Sequence, residues 1–335
     1  MTAWGDVIAR ARGLAAHLVQ RGQYAPLCGA EDTASLAAQL AALGLVPAPG
    51  AGSPADERTI ELALRRRAGA RLRLLARWAG DRREQLASLF DDEDRRALRA
   101  LLRGAIAGIA PEARLAGLVP TPTLPLRALE QLARAGDVAT IAAQLLVWRH
   151  PFGADLATEA RRQRPDTLQL EMTLVRTYAK RAIATARDAA MRLFVERTID
   201  LENLWAALVI AEQRTDIEPV SVFAEGGRVV TLDDLQLAAA SKAPADVAAH
   251  LAPRARGTPL AAALVAGPRP ADDAVLDALV AEVRRFAFRE PLGTAAVIQF
   301  VLRQRAELRA LQRILWCVSL GMPRAAIERA VGVAA

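Results

Sequence analysis

The sequence contains an internal repeat of two consecutive apolar helical segments. Leu124–Leu145 and Val230–Leu251 align without gaps. Alanine matches carry little weight in an alanine-rich chain, so the significance of the repeat rests on the leucines and their common register. The identical pairs are Leu126/Leu232, Leu129/Leu235, Ala133/Ala239, Ala139/Ala245, Ala142/Ala248, Ala143/Ala249 and Leu145/Leu251. The period, about 106 residues, is much longer than the roughly 20 to 50 residues of solenoid repeats.

Weaker matches extend the repeat upstream and downstream. An acidic segment precedes each copy. The residues of the two acidic segments align with each other at nearly the same offset as the copies themselves. Glu307 follows Asp200 at a similar interval, and the tail Pro323–Val331 loosely matches Pro244–Leu251. The corresponding acidic-segment residues are Asp91, Glu93 and Asp94 in the first copy and Asp200, Glu202 and Asn203 in the second.

This spacing predicts three similar helical lobes with approximate threefold symmetry. We expect the lobes to cover roughly residues 1–115, 116–218 and 219–335, all within a single domain, 1–335.

Apolar residues elsewhere recur at three- and four-residue spacings, the pattern of amphipathic helices. One such helix is predicted from about Thr294 to Leu320, with Gly321 and Pro323 ending it. Hydrophobic residues make up 53% of the chain and aromatic residues only 4%, so the core must consist mainly of Leu, Ala, Val and Ile, of which Leu and Ala favour helices. The one candidate pair of short strands, Val220–Phe223 and Arg228–Thr231, is too short to build a sheet core and is equally compatible with a loop. The predicted fold class is therefore all-α.

The chain is basic, with a formal net charge of +7, and only Lys180 and Lys242 among its 44 basic residues are lysines. Acidic residues are interspersed with the arginines, as in 91–99. Interspersed charge predicts solvated helix faces instead of a phosphate-binding stripe. A basic nucleic-acid-binding helical protein is therefore a weaker alternative, and a helical scaffold or regulatory protein is another.

Motifs that would support catalysis are missing from the sequence. A Walker loop requires a lysine followed by Ser or Thr, whereas Lys180 precedes Arg181 and Lys242 precedes Ala243. A nucleophile elbow is also absent. The histidines are isolated from one another and from any cysteine pair, so packed or surface roles are expected for them: His17, His150 and His250. We therefore expect no catalytic, cofactor-binding or metal-binding residue.

Acidic pairs in this chain are better explained by helix capping than by acid–base chemistry. Asp91/Asp92 and Asp233/Asp234 stand at predicted helix starts, where carboxylates accept hydrogen bonds from free backbone N–H groups. Asp200 is likewise predicted to be the N-cap of a helix Leu201–Gln213. Cys317 lies in an apolar run and is expected in the core, and with only Cys28 besides it, the chain has no disulfide framework and favours a reducing compartment.

No segment is long and apolar enough to span a bilayer as a helix. The longest uncharged stretch, Thr33–Ala55, is interrupted by proline and glycine. Charged residues near the start, Asp6, Arg10 and Arg12, argue against a signal peptide. Any membrane association is expected to go through a partner or a surface.

Four segments are similar to the C subunit of V/A-type (vacuolar/archaeal-type) rotary ATPases, the homologue of the V-ATPase d subunit. Trp4–Leu18 resembles the opening of that family, with Arg10 and Arg12 in its motif, and Asp200–Leu204 resembles its D-x-x-N-L helix start, with Asp200 and Asn203. Val222–Leu235 resembles its G-G-x-L segment through Gly226 and Gly227. Pro291–Ile314 resembles its closing helix, with matches at Pro291, Leu292, Glu307 and Leu311.

The closing helix departs from the family pattern at three positions. Phe300 replaces the usual Tyr, Gln304 the usual Lys and Ala310 the usual Asn, so a polar contact made by that Asn in relatives is not expected here. The resemblance covers 4–331 and implies a funnel of three helical lobes that carries out no chemistry of its own.

The resemblance also implies the partners and the location of the chain. The funnel would receive the central shaft and sit on the membrane proteolipid ring, as a peripheral subunit at the cytoplasmic face, in a complex that moves protons or sodium ions. Eight of the matching positions, called the motif residues below, are expected to be structural or interface positions: Arg10, Arg12, Asp200, Asn203, Gly226, Gly227, Pro291 and Glu307. We also hypothesise that arginine-rich faces, such as Arg65–Arg67 and Arg161–Arg162, contact acidic surfaces of the shaft or ring.

Overall fold

The computed structural model describes residues 4–48, 56–162, 166–213, 217–241, 243–266 and 272–332. The described residues are 77% helical, and none of them lies in a strand. The predicted all-α class is confirmed. None of the described helices is both long enough and apolar enough to cross a bilayer.

The α-helices are α1 (Gly5–Ala16), α2 (Arg21–Leu27), α3 (Thr33–Ala42), α4 (Glu57–Ala79), α5 (Ala87–Ile106), α6 (Pro111–Arg114), α7 (Leu126–Arg134), α8 (Val138–Val147), α9 (Gly153–Ala160), α10 (Thr167–Thr185), α11 (Ala189–Gln213), α12 (Pro219–Val222), α13 (Leu232–Ala240), α14 (Pro244–Ala255), α15 (Pro259–Ala266), α16 (Asp272–Arg289), α17 (Ala295–Ser319) and α18 (Arg324–Val331). A 3₁₀ helix, Gly80–Leu86, connects α4 to α5.

Long helices form the centre of the molecule and short ones pack around them. Helix α5 packs along α10, and α10 packs on α11. Helix α17 packs against α16, α1 and α4 and also contacts α11. The short helices α13, α14 and α15 pack on α11, while α7 and α8 pack on α5. Each group of short helices is therefore held by a long one.

The helices of the repeat occur where the alignment places them. Helices α7 and α13 begin at aligned positions and end at aligned positions, and α8 and α14 also begin at aligned positions. The predicted closing helix, Thr294–Leu320, agrees with α17 to within one residue at each end. The lobe boundaries and the threefold arrangement stay predictions.

The core consists of two hydrophobic clusters. The larger one extends through α1, α5, α10, α11 and the first half of α17. The smaller one brings together α2, α3 and α18 with the first half of α4 and the second half of α17. Because this cluster contains helices from both ends of the chain, the terminal regions fold against each other. Both cysteines lie in it, buried and free, as expected for Cys317.

The candidate pair of short strands does not form. Residues 219–222 form the helical turn α12, and residues 228–231 are irregular. The backbone N–H groups of Arg228, Val229 and Val230 donate to the carboxylate of Asp200. Since a side chain satisfies these donors, no partner strand is required.

Two leucines of the α17 region differ in burial, so we expect their substitution to have very different effects on the free energy of unfolding. Leu315 is fully buried, whereas Leu320 is 76% exposed. We expect Leu315→Ala to lower the free energy of unfolding by about 2–5 kcal/mol, because it removes buried methyl groups and leaves a cavity. Leu320→Ala should change it by no more than about 0.5 kcal/mol. Urea denaturation followed by circular dichroism measures both, and equal effects would contradict the assignment of this cluster as core.

Candidate functional site

The charged run at 91–99 is buried, so its prediction as a solvated helix face is wrong. The run lies inside α5, which begins at Ala87. Asp91 and Asp92 therefore do not cap a helix start, as the sequence had suggested. Asp92, Asp94 and Arg95 have no exposed surface, and Asp91 and Glu93 have little. The alternation of charge reflects pairing with neighbouring helices, because buried ions require partners.

Arg95 is the centre of this buried network. Its guanidinium donates to Asp92 Oδ1 at 2.7 Å on its own helix and to Glu202 Oε1 at 2.6 Å on α11. The guanidinium also lies 5.5 Å from the centroid of the Tyr178 ring on α10, within the range of a cation–π interaction. One side chain thus links α5, α10 and α11.

A second arginine brings α17 into the same network. Arg305 donates to Asp92 Oδ2 at 2.7 Å and to Glu93 Oε1 at 2.8 Å. Farther along α5, Arg99 donates to Glu202 Oε2 at 2.5 Å, and Arg103 pairs with Glu171 of α10. The four central helices are therefore joined by charge-assisted hydrogen bonds, which are stronger than neutral ones.

The guanidinium groups keep the central carboxylates ionised. Burial disfavours the charged form of Asp92, but Arg96, Arg305 and Arg95 outweigh it and hold the pKa of Asp92 well below its ordinary value. Burial likewise opposes ionisation of Glu202, and the arginines around it lower its pKa to about 2. Asp92 and Glu202 are therefore fully charged at neutral pH.

Asp91 differs from its neighbours. Burial raises the pKa of Asp91 to about 6, and the nearby Asp94 adds to this effect, while Arg181 partly opposes it. Arg181 donates to Asp91 Oδ2 at 3.1 Å from the partly exposed end of its side chain. A single exposed partner thus compensates burial less completely than the arginines around Asp92 do.

Asp200 is not an N-cap, contrary to the prediction, because it lies in the middle of α11. Its Oδ1 accepts the N–H groups of three successive residues, Arg228, Val229 and Val230, at 2.9–3.1 Å. The carboxylate is fully buried. It satisfies free backbone donors as a cap would, but those donors belong to the connection that leads into α13.

Asn203, Gly226 and Gly227 complete the same site. The Asn203 side chain donates to the Ala224 carbonyl at 2.8 Å and accepts the Ala224 N–H at 3.0 Å. Gly226 has a φ of +107°, and a Cβ on Gly227 would lie 2.3 Å from Asp200 Oδ1. Four of the eight motif residues therefore meet in one place, where they hold the connection before α13 against α11.

Glu307 holds a different connection in a similar way. Its carboxylate accepts the Val19 N–H at 2.9 Å, just before α2. It also pairs with Arg71 at 2.7 Å and Arg67 at 3.3 Å on α4. Arg65 is buried against Glu61, so within the predicted contact face Arg65–Arg67 two arginines are already engaged inside the chain.

The same kind of contact occurs on three long helices. Asp94 on α5 accepts the hydroxyls of Thr121 and Thr123, before α7, and pairs with the buried His150 at 3.2 Å. The interval from Asp94 to Asp200 equals the offset between the two repeat copies, and the interval from Asp200 to Glu307 is one residue longer. In the structure, the residue equivalent to Asp200 in the first repeat copy is therefore Asp94. The sequence alignment had matched Asp200 with Asp91, one helical turn earlier. Each of the three carboxylates fastens the connection that precedes a pair of short helices.

The remaining motif residues lie on the surface. The Arg10 guanidinium lies 5.6 Å from the centroid of the Trp78 ring. Arg12 and Pro291, both exposed, line one groove between α1, α16 and α17. Five of the eight motif residues therefore make interior contacts that hold connections between helices, and the other three lie on the surface.

Sequence reasoning missed Glu202, Arg95 and Arg305 as central residues. The spacings Asp92–Arg95 and Asp92–Arg96 were a signal of intrahelical pairing, but the partners on α11 and α17 are far away in sequence. Gln304, at the usual Lys position, is buried and donates to the Ala68 carbonyl at 3.3 Å. His250 is exposed, one of the two roles expected for the histidines, and its ring lies 3.1 Å from Asp234, in the capping box of α13.

Comparison with known proteins gives the family of the chain. The family model of the ATP synthase (C/AC39) subunit matches residues 7–330. The chain is 28% identical over 182 residues to the C subunit of a V-type ATP synthase of Deinococcus radiodurans, covering 54% of this chain and 50% of that protein. It is 24% identical over 283 residues to the C subunit of an A-type ATP synthase of Haloferax volcanii, covering 80% of each.

The chain is a member of the ATP synthase (C/AC39) subunit family, as its resemblance to the V/A-type C subunit predicted. The alignment spans only about half the length of the Deinococcus protein.

Gly227→Ala should destabilise the protein, because its Cβ would overlap the Asp200 carboxylate that holds the loop. We expect a loss of about 1–3 kcal/mol in the free energy of unfolding. Gly13→Ala is the matched control: it lies in α1 with nothing within 4 Å of the new Cβ, and it should stabilise by about 0.5–1 kcal/mol. Thermal unfolding of both variants checks the prediction, and an equal change in both would contradict it.

The pH dependence of stability should change in Glu202→Gln. The pKa of Glu202 falls from 4.5 to about 2 on folding, so its contribution is fully present above about pH 4.5 and is lost as the pH drops toward 2. The variant should be less stable at pH 7 by about 3–5 kcal/mol, because Arg95 and Arg99 lose a charged partner. Between pH 5 and pH 2 the free energy of unfolding should also fall less in the variant than in the wild type. The difference in slope should correspond to about one fewer proton taken up on unfolding.

Urea denaturation at a series of pH values measures this difference. Glu31→Gln is the control, because Glu31 is exposed. An acid slope in Glu202→Gln as steep as that of Glu31→Gln would contradict the role assigned to Glu202.

Proposed function

We propose that this chain is a non-catalytic subunit of the central rotor of a V/A-type ATPase, joining the central shaft to the membrane proteolipid ring at the cytoplasmic face. The observation that carries the proposal is the family match over residues 7–330. The chain would contribute to proton or sodium transport by transmitting rotation, and it would bind neither nucleotide nor metal to do so.

The buried network supports a role in transmitting torque. A coupling element must move as one body, since any internal slippage would dissipate the rotation. Asp92, Glu202 and Arg305 hold α5, α11 and α17 in a single arrangement, and displacement of one helix would leave buried charges without partners, at a cost of several kcal/mol each. The surrounding core of Leu, Ala, Val and Ile is close-packed and of low compressibility.

The acidic residues that sequence reasoning weighed for acid–base chemistry have structural partners instead. Asp91 pairs with Arg181, Asp92 with Arg95, and Asp234 with the backbone N–H of Thr231. These contacts support a subunit without bond-making chemistry. The engagement of Arg95, Arg99 and Arg305 with carboxylates also weakens the nucleic-acid alternative, because those arginines are not displayed for phosphates.

Reconstitution with the shaft subunits and the proteolipid ring of the same organism tests the proposal. The ring is immobilised in detergent, and retention of the shaft is measured with and without this chain. We expect the shaft to be retained at least about tenfold better when the chain is present, since it provides the contacts to both.

Two controls make the outcome decisive. Leu320→Ala, an exposed change, should retain the shaft if it folds normally, whereas heat-unfolded chain should not. Retention of the shaft by the ring to the same extent without the chain would overturn the coupling role, and so would binding of the folded chain to neither component.

A further inference from the structure

One groove on the surface combines basic charge with an apolar floor. It has a volume of about 540 Å³ and lies between the end of α1, the end of α16 and the start of α17. Three arginines line it, and none of the described residues that line it is acidic. We call it the arginine groove, with the lining arginines Arg12, Arg284 and Arg303.

These arginines differ from those of the network because none of the described carboxylates forms an ion pair with Arg12, Arg284 or Arg303. Their charge is therefore not cancelled inside the groove.

Acidic residues of a neighbouring cavity do not supply the missing partners. Arg284 and Arg303 also border this cavity, whose acidic residues are Asp273, Asp277 and Glu307. Two of these three acids are already engaged, Asp273 with Arg313 and Glu307 with Arg71. Within the described residues, none of the three acids, Asp277 included, forms an ion pair with Arg284 or Arg303, so these arginines are available to an external partner.

Part of the groove lining is apolar. It includes Phe300 and Ala296 of α17 and Ala15 of α1. Phe288 lies at its border with 76% of its surface exposed, and the Arg284 guanidinium is 5.9 Å from the centroid of that ring. An exposed aromatic beside arginines is the composition typical of the energetic centre of a protein interface.

The polar remainder suits a polypeptide. The amide side chains of Gln20 and Gln299 line the same groove and can donate to and accept from a peptide backbone. A concave site with amides and an apolar floor fits an inserted protein segment better than the flat surface of a bilayer. The charge of the arginines requires that this segment be acidic.

We propose that the arginine groove binds an acidic amphipathic segment of a protein partner. Carboxylates of the segment pair with Arg12, Arg284 and Arg303, and one apolar side chain packs against the exposed Phe288. The assignment concerns the surface of this chain and stands independently of the coupling role. It also gives Arg12 and Pro291, which line the same groove, a shared interface role.

The test uses the full chain and a fluorescein-labelled synthetic amphipathic peptide with leucine on one helical face and glutamate on the other. Fluorescence anisotropy measures its affinity for the wild type and for four variants: Arg12→Glu, Arg284→Glu, Phe288→Ala and Arg285→Glu. The matched control is Arg285→Glu, an exposed arginine that directly follows Arg284 on α16 and does not line the groove. Circular dichroism confirms that each variant is folded.

We expect Arg12→Glu and Arg284→Glu each to weaken peptide binding about tenfold, because like charges then meet across the interface. Phe288→Ala should weaken it several-fold, and Arg285→Glu should leave it nearly unchanged. A peptide with glutamine in place of glutamate should bind much more weakly than the acidic one.

Three results would overturn the proposal. The first is equal binding of the acidic peptide by wild type, Arg12→Glu and Arg284→Glu. The second is equal binding of the glutamine peptide and the acidic peptide. The third is absence of peptide binding, and groove-dependent binding to phosphatidylglycerol vesicles in that case would assign the groove to a lipid surface. None of these results bears on retention of the shaft by the ring, so a failure here is distinguishable from a failure of the coupling role.

Discussion

The rest of the structure depends on the pairing of the fully buried Arg95. A guanidinium cannot lose its charge in a protein, so burial at this position is possible only if carboxylates surround it. Asp92 on α5 and Glu202 on α11 supply them, and Arg305 from α17 balances the second oxygen of Asp92. Each helix is thereby fixed by the position of the others. Hydrophobic packing alone would tolerate small shifts of register, whereas buried ion pairs with fixed hydrogen-bond geometry do not.

Three carboxylates extend this order from the long helices to the short ones. Asp94, Asp200 and Glu307 each accept hydrogen bonds from the connection that enters a pair of short helices. These carboxylates are nearly equally spaced along the chain. The spacing explains the sequence repeat structurally, because each repeat unit needs one carboxylate to hold one connection. The third carboxylate holds the chain near Val19, so the second half of α17 and the N-terminal helices stabilise each other through the smaller hydrophobic cluster.

The distribution of arginine separates stability from recognition. Arg95, Arg305 and Arg71 are buried and paired, and they stabilise the arrangement of helices. Arg12 and Arg284 are exposed at a groove whose described lining residues include no carboxylate. The arginines of this basic chain therefore fall into two groups. The buried ones stabilise the helix packing, and only the exposed ones are available to a partner. A rigid interior of this kind is consistent with the proposed coupling role.

Local sequence determined the helices and the repeat. The apolar spacing fixes where α17 and the matched pairs α7/α13 and α8/α14 begin, because helical periodicity is a local property of the chain. The same local rules failed for Asp91, Asp92 and Asp200, which have the residue type of caps but lie inside α5 and α11. Their partners include residues far away along the chain, such as Arg305 for Asp92 and Val229 for Asp200, and no local pattern encodes which distant donor reaches a carboxylate.

The sequence by itself thus determined the all-α class, the repeat and the family, whereas tertiary packing decided which charges are buried, which connections they hold and which arginines are available to a partner. The reason is that burial, and with it the need for an ion to be paired, is a property of the assembled helices and not of any one of them.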